Sequence, residues 1–464
     1  MEGGFLPQNL AFIAKKMEGY SRNRFRLETT SADTAGAGRI VTVNLPENSL
    51  LDMKSFCWWF NATTGDSTTT ANGKTFTNSL GVATCNAVGK LPNDTSSLIR
   101  NVEVYINGVQ VQQGSSHYNT VAHILKLGRG NSANDSTKET IVNNSRMVST
   151  ESVALADSNT ATDNVSTCVD KWYGFLNESS TRFLPTDLLG AIQVRITLAD
   201  NAVISPNVLI AAGGLTIISN GTYVPPAGLF YTIKEMYFTI DTISLDPMYS
   251  MAIRDMLQRE QFIPLNYKEY YCFTLDGQTG ASYTNRFSLS SSSIDKLYAV
   301  QRLSSFQTEG LPATDLGSSV VGDRFIPNFF KFKLFESATG LLNGTFRYNW
   351  SINNVKHPQY QARAHEAIRD LAFVNGKISD ESLGFIPTSV TAYKEAMAVV
   401  PLTLCHPEQP VSVMSGYNSK GINTQLTYEV SGLSNTAGGY QSLVCAEVTS
   451  QLRIASGKNL AVSH

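Results

Sequence analysis

One pattern occurs twice in the sequence, and it constrains the fold more than any other feature. In the first copy, the alternating residues of 102–111 turn at Asn107-Gly108, and in the second copy the run 346–356 turns at Asn353-Asn354. Asparagine and glycine tolerate the positive φ angles of tight hairpin turns. Each copy therefore predicts a β-hairpin.

Each hairpin is followed by the same short motif, Tyr-x-x-x-Ala-His. The first copy, Tyr118 to His123, opens a helical run to Leu127, and the second copy, Tyr360 to His365, opens a helix through Leu371. The copies lie about 245 residues apart, which is roughly half of the 464-residue chain. A repeat on this scale is explained economically by a duplicated domain.

The boundary between the two halves is visible in the periodicity of the sequence. Tyr231 to Ile243 alternate as a long strand would, and Pro247 to Glu260 then show helical spacing. Strand patterning restarts at Phe262 and continues to a final strand at Tyr440 to Ile454. These patterns predict an N-terminal arm (1–35), a first domain (36–246), a linker helix (247–260) and a second domain (261–464).

The predicted arm differs in charge from the rest of the chain. From Met1 to about Leu27, five basic residues stand against Glu2 and Glu18, a local charge of +3 in a chain whose net charge is -2. Such a difference indicates an acidic partner, to which a short apolar stretch would add an anchor. We therefore expect the arm to lie outside the core and to fasten the protein to a neighbour or to a membrane.

Two polar stretches, 61–97 and 128–166, are rich in Ser, Thr, Asn and Gly and lack a lasting apolar period. Stretches of this length and composition predict long surface loops at the outer end of the protein. The whole chain has 16% charged residues and 10% aromatic residues, which favours an all-β protein with polar loops.

Composition also argues against several classes of protein. The 36 basic and 38 acidic residues nearly balance, so no global field gathers nucleic acid. The six cysteines are scattered without C-x-x-C spacing, and we expect reduced thiols. The sequence shows neither a signal peptide nor a transmembrane helix, so we expect synthesis inside a cell without export.

The order of several segments resembles the double jelly-roll major capsid proteins of polinton-like viruses, virophages and, more distantly, large nucleocytoplasmic DNA viruses. The segments that carry the resemblance are Phe183 to Gly190 with the strand that follows, Ile233 to Pro247 with the linker helix, and Phe329 to Glu336. None is a catalytic signature, and their order along nearly the whole chain is what resembles the family.

The resemblance implies an all-β fold of two tandem eight-stranded jelly rolls with short helices in the connecting loops. It further implies homotrimeric, pseudo-hexameric capsomers that tile an icosahedral shell, and a location in the virion. The partners implied are other copies of the chain, penton and minor capsid proteins and an internal membrane, without sequence-specific binding of nucleic acid. No catalytic, cofactor-binding or metal-binding residues and no cofactor are expected.

Residues that could carry chemistry have structural explanations. Gly36-Ala37-Gly38 lacks the remainder of a phosphate loop and predicts a flexible hinge. His123, His357 and His365 lack the helical spacing of metal ligands, so we expect contacts in caps or in the core. Trp58 and Trp59 alternate faces, which predicts one indole in the core and the other at an interface rather than on a sugar platform.

Two possible catalytic groups are also interpreted as structural. Cys405-His406 with Glu408 could provide a thiol nucleophile, but adjacent residues of an extended chain point to opposite faces. Asp187 and Asp200 could form the carboxylate pair of a glycosidase, but both border strands beside turn residues, where aspartate is common.

Two alternatives to a shell protein remain open at this point: a carbohydrate-binding or adhesive β-sandwich, and a polysaccharide-cleaving enzyme on such a sandwich. Both classes usually act outside the cell, and neither would explain a repeat that spans the whole chain. Native mass separates them from a capsid protein, because a capsid subunit should form a trimer or a larger shell.

Overall fold

The computed structural model describes residues 21–31, 33–66, 85–90, 95–129, 165–210, 229–244, 251, 255, 258–259, 262–304, 328–336, 344–374, 394, 397–406, 411–421, 424–434 and 439–464. Within these ranges the chain is mostly antiparallel β-structure. Much of the two predicted polar loops, residues 67–84, 91–94 and 130–164, lies outside the described residues.

The first half of the chain contains twelve of the described strands. They are β1 Ser21–Glu28, β2 Ala35–Gly36, β3 Ile40–Asn44, β4 Leu50–Asp66, β5 Cys85–Lys90, β6 Ile99–Ile106, β7 Val109–Gln112, β8 Val165–Val169, β9 Phe183–Pro185, β10 Ile192–Leu198, β11 Ser205–Ile210 and β12 Leu229–Ser244.

The second half contains nine described strands. They are β13 Phe262–Gln278, β14 Ser282–Ser288, β15 Ile294–Leu303, β16 Arg347–Ile352, β17 Val355–Arg363, β18 Val399–Thr403, β19 Gln425–Ser431, β20 Tyr440–Ala455 and β21 Asn459–Ser463. Three α-helices are described from end to end: α1 Tyr118–Arg129, α2 Thr186–Leu189 and α3 Ala364–Val374. Residues 251, 255, 258 and 259, within the predicted linker helix, are also helical.

Each half forms a sandwich of two four-stranded sheets. Sheet 1A has the order β1-β12-β4-β8 and sheet 1B the order β3-β10-β6-β7. Sheet 2A has the order β13-β20-β15-β18 and sheet 2B the order β14-β19-β16-β17. The short strands β2 and β9 pair with sheet 1A, β21 pairs with sheet 2A, and β5 and β11 form a separate ribbon.

The strand order is the same in the two halves. If the eight sandwich strands of a half are counted along the chain, the A sheet has the order first, eighth, third, sixth, and the B sheet the order second, seventh, fourth, fifth. Eight antiparallel strands in two such sheets form a jelly roll. The prediction of two tandem eight-stranded jelly rolls is thus confirmed.

The two hairpins of the repeat occupy equivalent places, as β6-β7 in sheet 1B and β16-β17 in sheet 2B. Their turn residues have positive φ angles, 48° at Asn107, 80° at Gly108, 47° at Asn353 and 68° at Asn354, as the sequence predicts. The Tyr-x-x-x-Ala-His motifs are placed differently. Tyr118 begins α1, whereas Tyr360 still belongs to β17 and α3 begins only at Ala364. The prediction of a helix from Tyr360 is wrong, because β17 runs longer than β7.

Two interpretations of the N-terminal region need correction. The predicted arm reaches to residue 35, but Ser21–Glu28 is β1, the first strand of the first jelly roll, and pairs with β12 along its whole length. Its arginines suggested an arm with an acidic partner, because Asp241, which accepts hydrogen bonds from Arg22 and Arg24, is more than 200 positions away. Gly36 ends β2, and Ala37-Gly38 form the turn that follows, closed by a hydrogen bond from the Arg39 amide to the Gly36 carbonyl, in place of the predicted hinge.

Two apolar cores organise the molecule. Core 2 lies between sheets 2A and 2B, where Val444, Ala446 and Val448 of β20 meet the inner residues of sheet 2B. Core 1 fills the first jelly roll and continues without a break onto the outer face of sheet 2A, where Leu443 and Cys445 belong to it. Successive residues of β20 thus face different cores, as the pleat requires. The two jelly rolls share apolar contact rather than only a linker.

Candidate functional site at the contact between the two jelly rolls

The edge strand of sheet 2A is covered by a segment of the first jelly roll. The amide of Ser180 donates a hydrogen bond to the carbonyl of Asn266 (2.7 Å), and the amide of Lys268 donates one to the carbonyl of Glu178 (3.0 Å). Unpaired edge strands invite pairing with other chains. Along this part of β13 that pairing is made within the molecule, which fixes the two jelly rolls side by side.

Tyr267 anchors this contact. Its side chain is fully buried, its hydroxyl donates a hydrogen bond to the carbonyl of Val111 (2.7 Å), and its ring meets Phe175 edge to face with centroids 5.3 Å apart. Burial raises the pKa of Tyr267 far above its usual value, so the hydroxyl remains a neutral donor. A buried tyrosine of this kind buries its ring in the contact, and its hydrogen bond fixes how the two jelly rolls are oriented.

Glu269 is a buried acceptor at the same contact. Its Oε1 accepts from the amide of Gln113 in the first jelly roll (3.2 Å), and its Oε2 accepts from Ser450 Oγ (3.1 Å) and lies 3.0 Å from His464 Nδ1. The hydrogen bond to Glu269 raises the pKa of His464, although burial opposes the shift. When His464 is protonated, its positive charge compensates the buried carboxylate of Glu269.

The helices that follow the two hairpins also meet across the contact. Helix α1 packs against α3, and the ring of His123 lies 5.2 Å from that of Phe330 and 5.3 Å from that of Phe332. His123 is therefore an aromatic contact between the halves, which agrees with its interpretation as structural.

In the described part of the chain, the face of sheet 1A that corresponds to the covered face of sheet 2A carries exposed and partly exposed side chains. We call it the outer face of sheet 1A; it carries Arg22, Arg24 and Arg26 of β1, Trp59 of β4 and Tyr237 of β12, with Arg182 and Phe183 beside them. Trp59 stacks on Tyr237 at 6.3 Å, and the guanidinium of Arg26 lies 4.2 Å from the centroid of the Tyr237 ring. Stacked aromatics and arginine are typical of protein interfaces.

Two buried carboxylates hold the arginines of this face in place. Asp52 and Asp241 are direct cross-strand partners and are both almost completely buried. Arg24 donates to Asp241 (2.8 Å), Arg22 donates to Asp241 (2.8 Å), and Arg182 forms a bidentate pair with Asp52 (2.9 and 2.7 Å). Burial raises the pKa of Asp241, but its bonds to Arg24 and Arg22 outweigh burial and hold that pKa below its usual value.

Comparison with solved structures identifies this architecture. Over 96% of its length the chain superimposes on 97% of a chain of the PBCV-1 virus capsid, with a TM-score of 0.59 and 13% sequence identity. It also resembles the Faustovirus major capsid protein (TM-score 0.55, 10% identity, 94% of this chain and 91% of that chain). A chain of the Sputnik virophage gives a TM-score of 0.52 at 12% identity, over 96% and 88%. The fold is the double jelly roll of viral capsid proteins. The sequence itself matches no protein-family profile and no curated protein.

The double jelly roll separates the two proposed catalytic aspartates. Asp187 lies in α2, beside the start of β10, and Asp200 follows the end of β10. The seven residues of β10 span about 20 Å, whereas glycosidase carboxylates lie about 5 to 10 Å apart. Asp200 instead forms an ion pair with Arg100 (3.5 Å).

The other candidates also fit structural interpretations. Burial raises the pKa of Cys405, which disfavours a thiolate, and Glu408 lies outside the described residues. Trp58 is buried in core 1 while Trp59 lies on the outer face of sheet 1A, as alternation predicts. His357 lies in β17, and His365 is the second residue of α3. The described residues contain no group of three or more His, Cys, Asp or Glu side chains placed to hold a metal ion, and none of their helices could cross a membrane.

Sequence reasoning did not find the residues that join the jelly rolls. Tyr267, Glu269 and Glu178 bear no local motif, and their partners are found only after both halves have folded. The one available signal was the run of Tyr and Glu in β13, where a strand with an exposed face would have carried more Lys, Ser or Thr.

Proposed function

We propose that this chain is a major capsid protein that forms homotrimeric, pseudo-hexameric capsomers of an icosahedral viral shell. The observation that carries the proposal is the directional contact between two equivalent jelly rolls. The outer face of sheet 2A meets the first jelly roll, while the described residues of the equivalent outer face of sheet 1A include exposed arginines and partly exposed aromatic side chains.

The direction of this contact supports a ring. The contact joins the side of one jelly roll to the outer face of the A sheet of the next. Because these two surfaces differ, the contact is heterologous. Heterologous contacts form a closed ring when the rotation between neighbours closes. With two jelly rolls per chain, three chains supply six similar units, and the outer face of sheet 1A receives the second jelly roll of the next chain.

The composition of the outer face of sheet 1A fits such a contact. The covered face of sheet 2A includes apolar residues such as Leu443 and Cys445, as expected for a contact made during folding of one chain. The outer face of sheet 1A has half-exposed arginines and the Trp59-Tyr237 stack, which remain soluble before assembly. When a neighbouring chain covers this face, the paired arginines and the stacked aromatic rings would fix the orientation of that chain.

The remaining features belong to the same proposal. Trimers would pack with one another and with penton and minor capsid proteins in the virion, with the polar stretches 61–97 and 128–166 on the outside and residues 1–20 on the inside, against protein or an internal membrane. The function is structural rather than enzymatic, and no cofactor is required.

Light scattering tests the trimer, whose mass should be about 152 kDa, three times the 50.6 kDa chain. Trp59→Glu places a charge on the outer face of sheet 1A and should yield folded monomers with unchanged circular dichroism. The matched control, Ile40→Glu, changes an exposed residue of β3, at the edge of sheet 1B opposite β7, and should leave trimers intact.

A monodisperse wild-type monomer at micromolar concentration would contradict the proposal. Trimers that persist in Trp59→Glu but not in Ile40→Glu would contradict the assignment of the contact to the outer face of sheet 1A. Electron microscopy of purified assemblies then tests whether trimers build closed shells.

A further inference from the structure

Two cysteines face each other across the long strands of sheet 2A. Cys272 of β13 and Cys445 of β20 are direct cross-strand partners, and their sulfur atoms lie 2.6 Å apart. Directly opposed residues of antiparallel strands have Cα atoms about 4.5 or 5.5 Å apart, and both separations lie within the range that disulfides span. The strands therefore hold the two thiols where a bond between them needs little movement of the backbone.

The two thiols differ in exposure. Cys445 is buried in core 1, whereas Cys272 is partly exposed on the edge strand β13. The hydrogen bond with Cys272 and burial both raise the pKa of Cys445, so this thiol stays protonated. A small oxidant would therefore meet Cys272 first.

The other cysteines of sheets 1A and 2A are placed differently. Cys57 lies opposite Thr239, Cys168 lies opposite Trp59, and Cys405 follows the end of β18. Among the described residues, Cys272 and Cys445 are the one pair of cysteines that faces each other across a ladder. The scattered spacing of the six cysteines in the sequence gives no sign of this pair, since 173 positions separate its members.

We propose that Cys272 and Cys445 are a site of reversible oxidation and form a cross-strand disulfide when the protein meets a low-molecular-weight disulfide. Cys272 Sγ, as a thiolate, attacks one sulfur of the small disulfide, whose S–S bond breaks and releases one small thiol. Cys445 Sγ then attacks Cys272 Sγ in the mixed disulfide and passes its proton to the departing sulfur, which leaves as the second small thiol. The protein loses two electrons and two protons, and the two small thiols take them up.

The bond joins the first and last sandwich strands of the second jelly roll. These strands carry both core 2 and the contact to the first jelly roll, so their separation is a step that unfolding requires. A covalent link between residues so distant in sequence restricts the unfolded chain strongly. We expect the oxidised protein to unfold about 5 °C higher than the reduced protein.

Peptide mapping by mass spectrometry tests the proposal on the full chain, after incubation with oxidised or reduced glutathione and trapping of free thiols. The oxidised sample should contain a peptide pair that joins Cys272 to Cys445, and the reduced sample should not. Cys272→Ser should lose both the linked peptides and the rise in melting temperature. The matched control Cys57→Ser, also half-buried and located in a strand, should keep both.

Free thiols at both positions of the folded wild-type protein after prolonged exposure to oxidised glutathione would overturn the proposal, as would linkage of either residue mainly to another cysteine. These peptides are observed in the folded chain whether it is a monomer or a trimer. A failure here is therefore distinct from a failure of the proposed capsid function.

Discussion

At the scale of single residues, the outer face of sheet 1A is organised by ion pairs in which the carboxylate is buried and the arginine is exposed. Asp241 is almost completely buried, while Arg22 and Arg24 keep 44% and 67% of their side chains exposed. An arginine at such a position can return to water, but the carboxylate cannot. The cluster therefore stabilises β1 through the hydrogen bonds of the carboxylate more than through the attraction of exposed charges.

Asp241→Asn should lower the free energy of unfolding by about 1–2 kcal/mol, because charged hydrogen bonds to two half-exposed arginines become neutral ones. Urea denaturation at pH 7 measures the change. The control Glu28→Gln removes the partner of Arg26 in a pair with both side chains more than 60% exposed, and should change stability by less than 0.5 kcal/mol, a roughly neutral effect. Equal losses in the two variants would contradict the assignment of Asp241 as the central acceptor.

Asp241 should also make the stability of the protein depend on pH in the acid range. Because the pKa of Asp241 is lower in the folded protein than its usual 3.8, its contribution is complete above that value and is lost as the pH falls through the folded pKa. The difference in stability between wild type and Asp241→Asn should therefore shrink as the pH falls below 3.8. A difference that is constant from pH 7 to acid would contradict the ionised state of Asp241.

His464 should show the opposite dependence. Its pKa is raised above 6.5 by the hydrogen bond to Glu269, so its contribution is complete below 6.5 and is lost as the pH rises through the folded pKa. His464→Gln should be less stable than wild type in mild acid, and the two should converge in alkali. Thermal melts across this range measure the effect, and parallel curves for the two proteins would show that His464 does not titrate against Glu269.

At the scale of secondary-structure elements, sequence patterns predicted the strands best where one face of a sheet is buried. The alternation of β10 and β12 is local and visible, and so are the asparagine turns of both hairpins. Strand β1 was missed because Arg22, Arg24 and Arg26 occupy its outer face, and Asp241, which receives two of them, is more than 200 positions away. Helix α3 begins at Ala364 and not at Tyr360, because the Tyr-x-x-x-Ala-His motif does not indicate where β17 ends.

The β16-β17 turn allows a direct test of this reasoning. Asn354 has a φ of 68°, which asparagine tolerates and glycine adopts without cost. Asn354→Gly should raise the free energy of unfolding by about 0.5 kcal/mol, and Asn354→Val should lower it by about 1–2 kcal/mol. Chemical denaturation of both variants measures the pair, and a stabilising valine would show that the turn is not of this type.

At the scale of the whole molecule, the repeat predicted two equivalent domains but not how they meet. The contact joins Tyr267 to Val111 and Glu269 to Gln113, pairs that are 156 positions apart in the chain. Hydrophobic periodicity cannot predict it, because both faces of β20 are buried, with Leu443 and Cys445 in core 1 and Val444 and Ala446 in core 2. For the same reason the two halves share core 1, and we expect them to unfold together rather than as separate domains.

The position of β1 also changes what a truncation of the N-terminal region should do. All eight sandwich strands of the first jelly roll are present from Ser21 onward, so deletion of residues 2–20 should leave the melting temperature within about 2 °C of wild type. Deletion of residues 2–26 also removes most of β1 and uncovers β12, Asp241 and the apolar residues beneath them. We expect that variant to melt at least about 5 °C lower and to form fewer trimers, because the outer face of sheet 1A loses three arginines. If the shorter deletion keeps trimers but reduces shell yield in electron micrographs, residues 2–20 fasten one capsomer to its surroundings. Equal melting temperatures for the two deletions would contradict the assignment of β1 to the sandwich.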